Sequence, residues 1–351
     1  MIALIMAGGA GTRFWPQSRN KLPKQFLRVM GDKSMIQLTL ERLTPLIPVE
    51  DIYVVTAASQ VSLVQEHLPE LPLDNIIIEP FGMNTAPCIA LSAAHLTGKY
   101  PPEECMIVLP ADHIIRDTPA FLESLVQAEK VAREGYLVTF GIIPEYPATG
   151  YGYIEAGEEL SPGVHRVAHF KEKPDYMTAE HFLSRGNFYW NSGMFCWTIQ
   201  SIVAAFEIHL PAALTAANSI CKLQESGAAE DEIATTYARM PKTPIDIGIM
   251  EPAQARAVIP VNYGWSDVGS WKALSDISAA DENGNSFLGE GLAIDSKDNY
   301  IYSHKFVALI GVENLCLVET DDAILISSKE DSEQVKNIVD TLKSKHKDHL
   351  L

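Results

Sequence analysis

The sequence predicts an α/β protein: a mostly parallel sheet flanked by helices, followed by a small C-terminal β-rich element. Two patterns predict it. In the first half, short apolar β-rich runs alternate with stretches of helical spacing, and a βαβα order of this kind builds a parallel sheet covered on both faces. After Asn283-Gly284-Asn285 the alternation stops, and "GLAIDSKDNYIYSHKFVALIGVENLCLVETDDAILIS" supplies strand after strand.

Taken in order, the candidate strands are 3–6, 52–55, 75–78, 106–109 and 137–140, and the helices between them are 35–46, 60–67, 87–95 and 121–133. Ile36, Leu40 and Leu43 share one face of the first helix. Residues 150–200 turn to strands with tight turns, 199–240 read as helical, and 330–345 as a charged helix. The expected division is a first domain over 1–284 and a β-helix-like domain over 285–351, structural or oligomeric in role.

The 351 residues are 47% apolar and 21% charged, as in an ordinary globular protein. No apolar run is long enough to span a bilayer, and the opening "MIALIM" lacks the basic lead of a signal peptide. Cys88, Cys105, Cys196, Cys221 and Cys316 are scattered without a C-x-x-C, which points to a reducing, cytoplasmic setting. A formal charge of −18 disfavours nucleic acid and anionic membranes as partners. An anionic ligand must then be met by a local group of cations.

The segment "LIMAGGAGTRFWPQSRNKLPKQF" is such a group. Gly8, Gly9 and Gly11, with Thr12, expose backbone N–H groups to a phosphate or a base, while Arg13 and Lys24 neutralise charge. Arg19 and Lys21 read as solvated surface cations. The motif is neither a nucleotide-triphosphatase phosphate loop nor a dinucleotide fingerprint, since neither pattern is complete. Two more strand ends finish in conspicuous loops, "EPFGMNTAP" and "PADH", and carboxyl ends of parallel strands should converge on one crevice. Asp112 in "PADH" either caps a helix or holds a divalent cation, and Asp267 in "GWSDVGSW" is the best second carboxylate. His113 reads as structural. In "FKEKPD", Glu172 and Lys173 form either a surface pair or a reader of sugar hydroxyls and sugar phosphate. Asn191 in "WNSGMF" adds an amide that donates and accepts.

Together "GGAGTRFWPQSR", "PKQF", "NTAP", "PADH", "FKEKPD", "WNSGMF" and "GWSDVGSW" resemble the sugar nucleotidyltransferases, in family order from residue 8 to residue 271. The resemblance implies a Rossmann-like, GT-A-like sheet and a reaction in which mannose 1-phosphate and GTP give GDP-mannose and pyrophosphate. It implies that Gly8, Gly9, Gly11, Thr12 and Arg13 form the nucleotide loop and that Lys24 meets the phosphates. Asn84 and Thr85 would line the base and ribose side, and Asp112 and Asp267 would hold Mg2+. Glu172 and Asn191 would take sugar hydroxyls, and Lys173 the sugar phosphate.

Two positions depart from the pattern: Met83 and Pro252 stand where the family usually has cations. Asp246, in the family's "IDY" position but followed by Ile247, reads as structural. No isomerase activity is expected, and the tail is expected to pack on the first domain or form a homodimer. A related nucleotidyltransferase of other specificity and a catalytically silent nucleotide-sugar-binding subunit are the competing readings. A nicotinamide-dependent oxidoreductase is excluded, because no acidic ribose ligand follows the second strand.

Overall fold

The computed structural model describes residues 1–9 and 11–351. Two compact units interleave along the chain: Met1–Gly8, Thr39–Ala111 and Ile115–Trp265 form the first, and Gly9–Leu38, Asp112–Ile114 and Ser266–Leu351 form the second.

The first unit runs β1 (Ile2–Met6), α1 (Met35–Leu43, its first turn in the second unit), β2 (Ile52–Ala57), α2 (Val61–His67), β3 (Ile76–Glu79), α3 (Thr85–Leu96), β4 (Cys105–Pro110) and α4 (Thr118–Arg133). It continues with β5 (Leu137–Ile142), β6 (Tyr153–Ser161), β7 (Val164–Lys171), α5 (Tyr176–Arg185), β8 (Phe188–Thr198), α6 (Ile199–His209), α7 (Pro211–Glu225), α8 (Glu230–Tyr237) and β9 (Arg256–Val261). Strand order is β3-β2-β1-β4-β8-β5-β9-β7-β6.

The α/β class stands, but the sheet is mixed rather than mostly parallel. β3, β2, β1 and β4 are parallel, as is β5 with β9. β8 runs antiparallel to both β4 and β5, and β7 to both β9 and β6. β6 and β7 are antiparallel because they are joined across Pro162-Gly163, and so short a turn connects only antiparallel neighbours.

Both faces of the parallel half are covered. Ile2, Leu4, Val55, Met106 and Val108 pack in one cluster with α3, α6, α7 and Tyr237. The alternate residues Ala3, Ile5, Val54 and Ile107 point to the other face and are equally sealed. Each large apolar side chain among them contributes roughly 1.5–3 kcal/mol by leaving water. The strand ends are tied where the loops begin: Ala111 N donates to Met6 O at 3.0 Å, and Ala7 N to Val55 O at 2.9 Å.

In the second unit α9 (Trp271–Ile277) is followed by β10 (Ser286–Leu288), β11 (Gly291–Ile294), β12 (Tyr300–Tyr302), β13 (Val307–Ile310), β14 (Leu315–Glu319), β15 (Ile324–Ser328) and α10 (Val335–Ser344). β10, β12 and β14 stack in parallel, β11 pairs in parallel with β13, and β15 closes the stack antiparallel to β14. These are turns of a β-helix.

An asparagine ladder holds the corners. Asn285 Oδ1 accepts from the backbone N and the Nδ2 of Asn299, and Asn299 Oδ1 accepts from Leu315 N at 3.0 Å. Both amides are sealed from solvent and also donate to Ser296 O and Val312 O. This β-rich element packs with Phe14, Trp15, Leu27 and Val29, the residues around the cationic segment.

Arg19 corrects its reading as a solvated cation. It bonds Asp322 Oδ1 at 2.6 Å and Leu350 O, beside Trp15, whose Nε1 donates to Leu350 O at 2.8 Å. Among the described residues no helix is long and apolar enough to cross a membrane, and the five cysteines are free.

Asn299→Ala orphans buried donors and acceptors on two adjacent coils, which should cost roughly 2–4 kcal/mol and lower the thermal midpoint by several degrees. Calorimetry of the variant checks this; an unchanged midpoint would mean the ladder holds nothing together.

Candidate functional site

In the second unit the chemistry gathers around one ammonium. Lys24 opens a single 3-10 turn, Lys24–Phe26, directly after Pro23, and the residue is only 6% exposed. Its Nζ donates to Asp112 Oδ2 at 2.8 Å, to Asp112 O at 3.2 Å and to Asp267 O at 2.7 Å, and lies 5.4 Å from the centre of the Phe14 ring. Three protons meet three protein acceptors. A phosphate oxygen reaching Lys24 would therefore have to displace one of them.

Burial alone would push the Asp112 carboxyl up. The Lys24 charge and hydrogen bond, with help from His113, outweigh it and hold the group below the usual range.

Gly11 makes the approach possible. Its φ is +60°, and a Cβ there would overlap the Lys24 side chain. Gly9 faces open space, Thr12 starts a 3-10 turn, and Arg13 in that turn is exposed. Beside Asp267, Val268 is fully buried with φ +45°, a conformation β-branched residues rarely adopt. The turn at Val268 leaves the Asp267 carbonyl on Lys24.

In the first unit, Gly8 and the loop after β3 meet. A Cβ on Gly8 would sit 3.6 Å from Glu79 Oε1, and one on Gly82 would sit 3.4 Å from Gly8 O. Glu79 was not singled out by sequence reasoning. It is a buried carboxyl whose pKa burial raises, against hydrogen bonds from Tyr237 and Cys88. Asn84 spends its Oδ1 capping α3 at Thr85 N, 2.8 Å away, and Thr85 Oγ1 accepts from Ile245 N at 2.8 Å. Both remain half-exposed. Met83 packs against the apolar cluster of this unit.

A second group brings Glu172, Lys173 and Asn191 together. Lys173 Nζ lies 2.9 Å from Glu172 Oε1, on a residue with φ +44° held before Pro174. A Cβ on Gly152 would overlap the Glu172 carboxylate, and Gly152 O accepts from Asn191 N at 2.8 Å. Asn191 Nδ2 donates to Asp246 Oδ1 at 2.7 Å.

Asp246, which reads as structural from sequence, thus belongs to this group. It opens a one-turn π-helix, Asp246–Met250, and such turns recur at functional sites. Burial first, and the neighbouring Glu172 charge second, push its carboxyl up to about 6, against the Asn191 hydrogen bond. A carboxyl raised in the fold contributes stability below its unfolded value that is lost as pH rises through about 6. Carboxyl NMR should find Asp246 titrating near 6, and Glu172→Gln should lower that value. No change on Glu172→Gln would mean the two charges do not face each other.

Among the described residues no group of three or more His, Cys, Asp or Glu forms a ready metal cage. Asp112 meets Lys24 through its carboxylate and its backbone carbonyl, and Asp267 through its backbone carbonyl.

A family model described as nucleotidyl transferase matches residues 2–284, and one described as a MannoseP isomerase/GMP-like beta-helix domain matches 289–342. A mannose-1-phosphate guanylyltransferase of Salmonella muenchen is 44% identical over 362 residues, covering 100% of this chain and 76% of its own length. One from Klebsiella pneumoniae is 42% identical over 350 residues, covering 98% and 74%. A crystal structure from Thermus thermophilus, described as a mannose-1-phosphate geranyltransferase, superposes with a TM-score of 0.88 at 32% identity, over 97% of this chain and 99% of that one.

Proposed function

This chain belongs to the nucleotidyl transferase family, in its mannose-1-phosphate guanylyltransferase branch, and on that premise we propose that it transfers GMP from GTP to α-D-mannose 1-phosphate, giving GDP-mannose and pyrophosphate. The observation that supports the reading most is the Lys24 ammonium bracketed by the Asp112 carboxylate and the Asp267 carbonyl, with Gly11 packed closely against the Lys24 side chain.

In the proposed reaction a phosphate oxygen of mannose 1-phosphate bonds to the α-phosphorus of GTP as the bond to the β-phosphate oxygen breaks. Pyrophosphate leaves. The attacking oxygen is already ionised near neutral pH, so no general base is required, and positioning with charge neutralisation carries the rate.

Gly8, Gly9, Gly11 and Thr12 offer backbone to the nucleotide, Asn84 and Thr85 the base and ribose side, and Arg13 a planar fork for phosphate oxygens. Lys24 exchanges the Asp112 oxygen for a phosphate oxygen, which frees that carboxylate. Glu172 and Asn191 take sugar hydroxyls, and Lys173 the sugar phosphate.

The donor set fits Mg2+, which favours one or two carboxylates completed by phosphate oxygens and water over an all-protein cage. Asp112 and Asp267 would hold it, and the bound ion supplies charge neutralisation at the phosphates. We assign this chemistry to residues 1–284 and a scaffolding role to 285–351, in a cytoplasmic enzyme. A homodimer through the C-terminal element would cover Ile294, Ile310, Ile324 and Ile326, which are exposed. Sedimentation showing only monomer at micromolar concentration would contradict it.

Pyrophosphate release, crossing GTP, ATP, UTP and dTTP with mannose, glucose and N-acetylglucosamine 1-phosphates, tests the reading. Activity mainly with GTP and mannose 1-phosphate is expected. Release with no pair, from folded protein that binds nucleotide sugar, would favour a silent subunit.

Asp112→Asn and Asp267→Asn should each lower kcat by about 100-fold or more with the fold intact, the scale of losing a main electrostatic group at a reacting phosphate. Wild-type rates in both variants with Mg2+ would remove the metal assignment.

A further inference from the structure

We infer that the C-terminal element takes part in nucleotide binding: Arg19 is a positioning residue, locked by Asp322 and the Leu350 carbonyl, that holds the segment from Gly11 to Lys24 in place around the phosphates. The inference rests on the proposed nucleotide chemistry and deepens it, because it gives the β-helix a part in the site.

The outer side of this segment is fastened to the C-terminal element. Arg19 Nη2 lies 2.6 Å from Asp322 Oδ1, Arg19 Nη1 donates to Leu350 O, and the guanidinium sits 5.6 Å from the centre of the Trp15 ring. Leu350 O also accepts from Trp15 Nε1 at 2.8 Å, so both lone pairs of that carbonyl are used. Arg19 Nε turns back to Pro16 O at 2.6 Å. Gln17 Nε2 reaches Glu319 O at 3.2 Å, and Trp271 Nε1 reaches Trp15 O at 3.1 Å. Arg19 thus spends its fork on the protein, and its side chain is only 15% exposed. It braces the segment and does not itself meet a phosphate.

The inner side of the same segment sets the group around Lys24. Ser18, buried and next to Arg19, donates its hydroxyl to Gly11 O at 2.7 Å. Gly11 in turn packs so closely on Lys24 that a Cβ would overlap its side chain. Arg19 and Leu22 exchange both backbone hydrogen bonds at 3.0 Å, which closes the chain just ahead of Pro23-Lys24. Both ends of the segment are therefore tied to Ser18-Arg19. A shift of about 1 Å at that pair would move Gly11 against Lys24, and misplacement on that scale is costly where positioning carries the rate.

The obvious alternative is that these contacts only stabilise the fold. Lost folded protein lowers the apparent kcat and leaves KM alone, so a KM split separates the two roles. Arg19→Met should raise KM for GTP by about tenfold and leave KM for mannose 1-phosphate within about twofold, the scale of losing charge-assisted hydrogen bonds that act on one substrate. Arg19→Lys keeps the charge but cannot hold both partners at once, and should recover only part of the loss. Asp322→Asn should raise KM for GTP by about threefold, since its ion pair is half-exposed and screened. Adding it to Arg19→Met should cost little more, because the two act through one contact. Lys297→Met, which breaks an exposed ion pair with Glu313 in the same element, should change neither constant.

Unchanged KM for GTP in Arg19→Met and Asp322→Asn, or equal rises for both substrates, would overturn the inference. A measurement on the wild type needs no variant to fold. GTP with Mg2+ should slow hydrogen exchange at the Trp15 indole by about fivefold or more, because coupling between the segment and its brace is reciprocal. Unchanged exchange in nucleotide-saturated protein would also overturn it. Wild-type protein that binds no GTP would instead sink the proposed function itself, and this inference with it.

Discussion

One buried ammonium organises the second unit. Lys24 is sealed by Phe14 and the 3-10 turn after Pro23, and it joins Asp112 to Asp267, residues far apart in sequence. A buried cation is tolerated in that setting because each of its protons has an acceptor. The same contacts hold Asp112 ionised and keep the Asp267 carbonyl inward. The glycine at 11, the strained Val268 and the hydrogen bond from Trp271 Nε1 to Trp15 O are the supports this arrangement requires.

The first unit solves a different problem. Its group at Glu172, Asn191 and Asp246 carries excess negative charge, while the second unit holds the cationic segment with Arg13, Arg19, Lys21 and Lys24. The two kinds of surface suit the two kinds of chemistry in the proposed reaction, hydroxyls in one case and phosphates in the other. Positive φ at non-glycine residues occurs beside both groups, at Lys173 next to Glu172 and Val268 next to Asp267, and also at Asp295, Asp298, Asn314 and His346 of the C-terminal element.

Much of this was legible in the sequence because strand and helix periods are local. β1 to β5 and α1 to α4 fall within a few residues of where apolar spacing puts them, and the crossover order gives the parallel half of the sheet. The reversed β8 was not legible, since tight turns announce hairpins without saying which strands become neighbours. Arg19 looked like any solvated cation, because its partners at Asp322 and Leu350 lie at the other end of the chain. Asp246 sits in "PIDIGIM", where neither helical nor strand spacing holds, and a π turn has no residue signature. Glu79 passed as the first residue of the loop "EPFGMNTAP". What could have found it is its chemistry: an ionisable residue closing an apolar run must find a donor or stay neutral.

In the proposed reaction Lys24 would make the second unit a phosphate receptor. The most direct test is calorimetric titration of GTP with Mg2+ into wild type and Lys24→Met, with mannose 1-phosphate titrated separately into both. Nucleotide affinity should fall by about tenfold or more, the scale of one charge-assisted contact, while sugar phosphate affinity stays near wild type. Unchanged GTP affinity in a folded Lys24→Met protein would contradict the account, leaving Lys24 a structural cross-link alone.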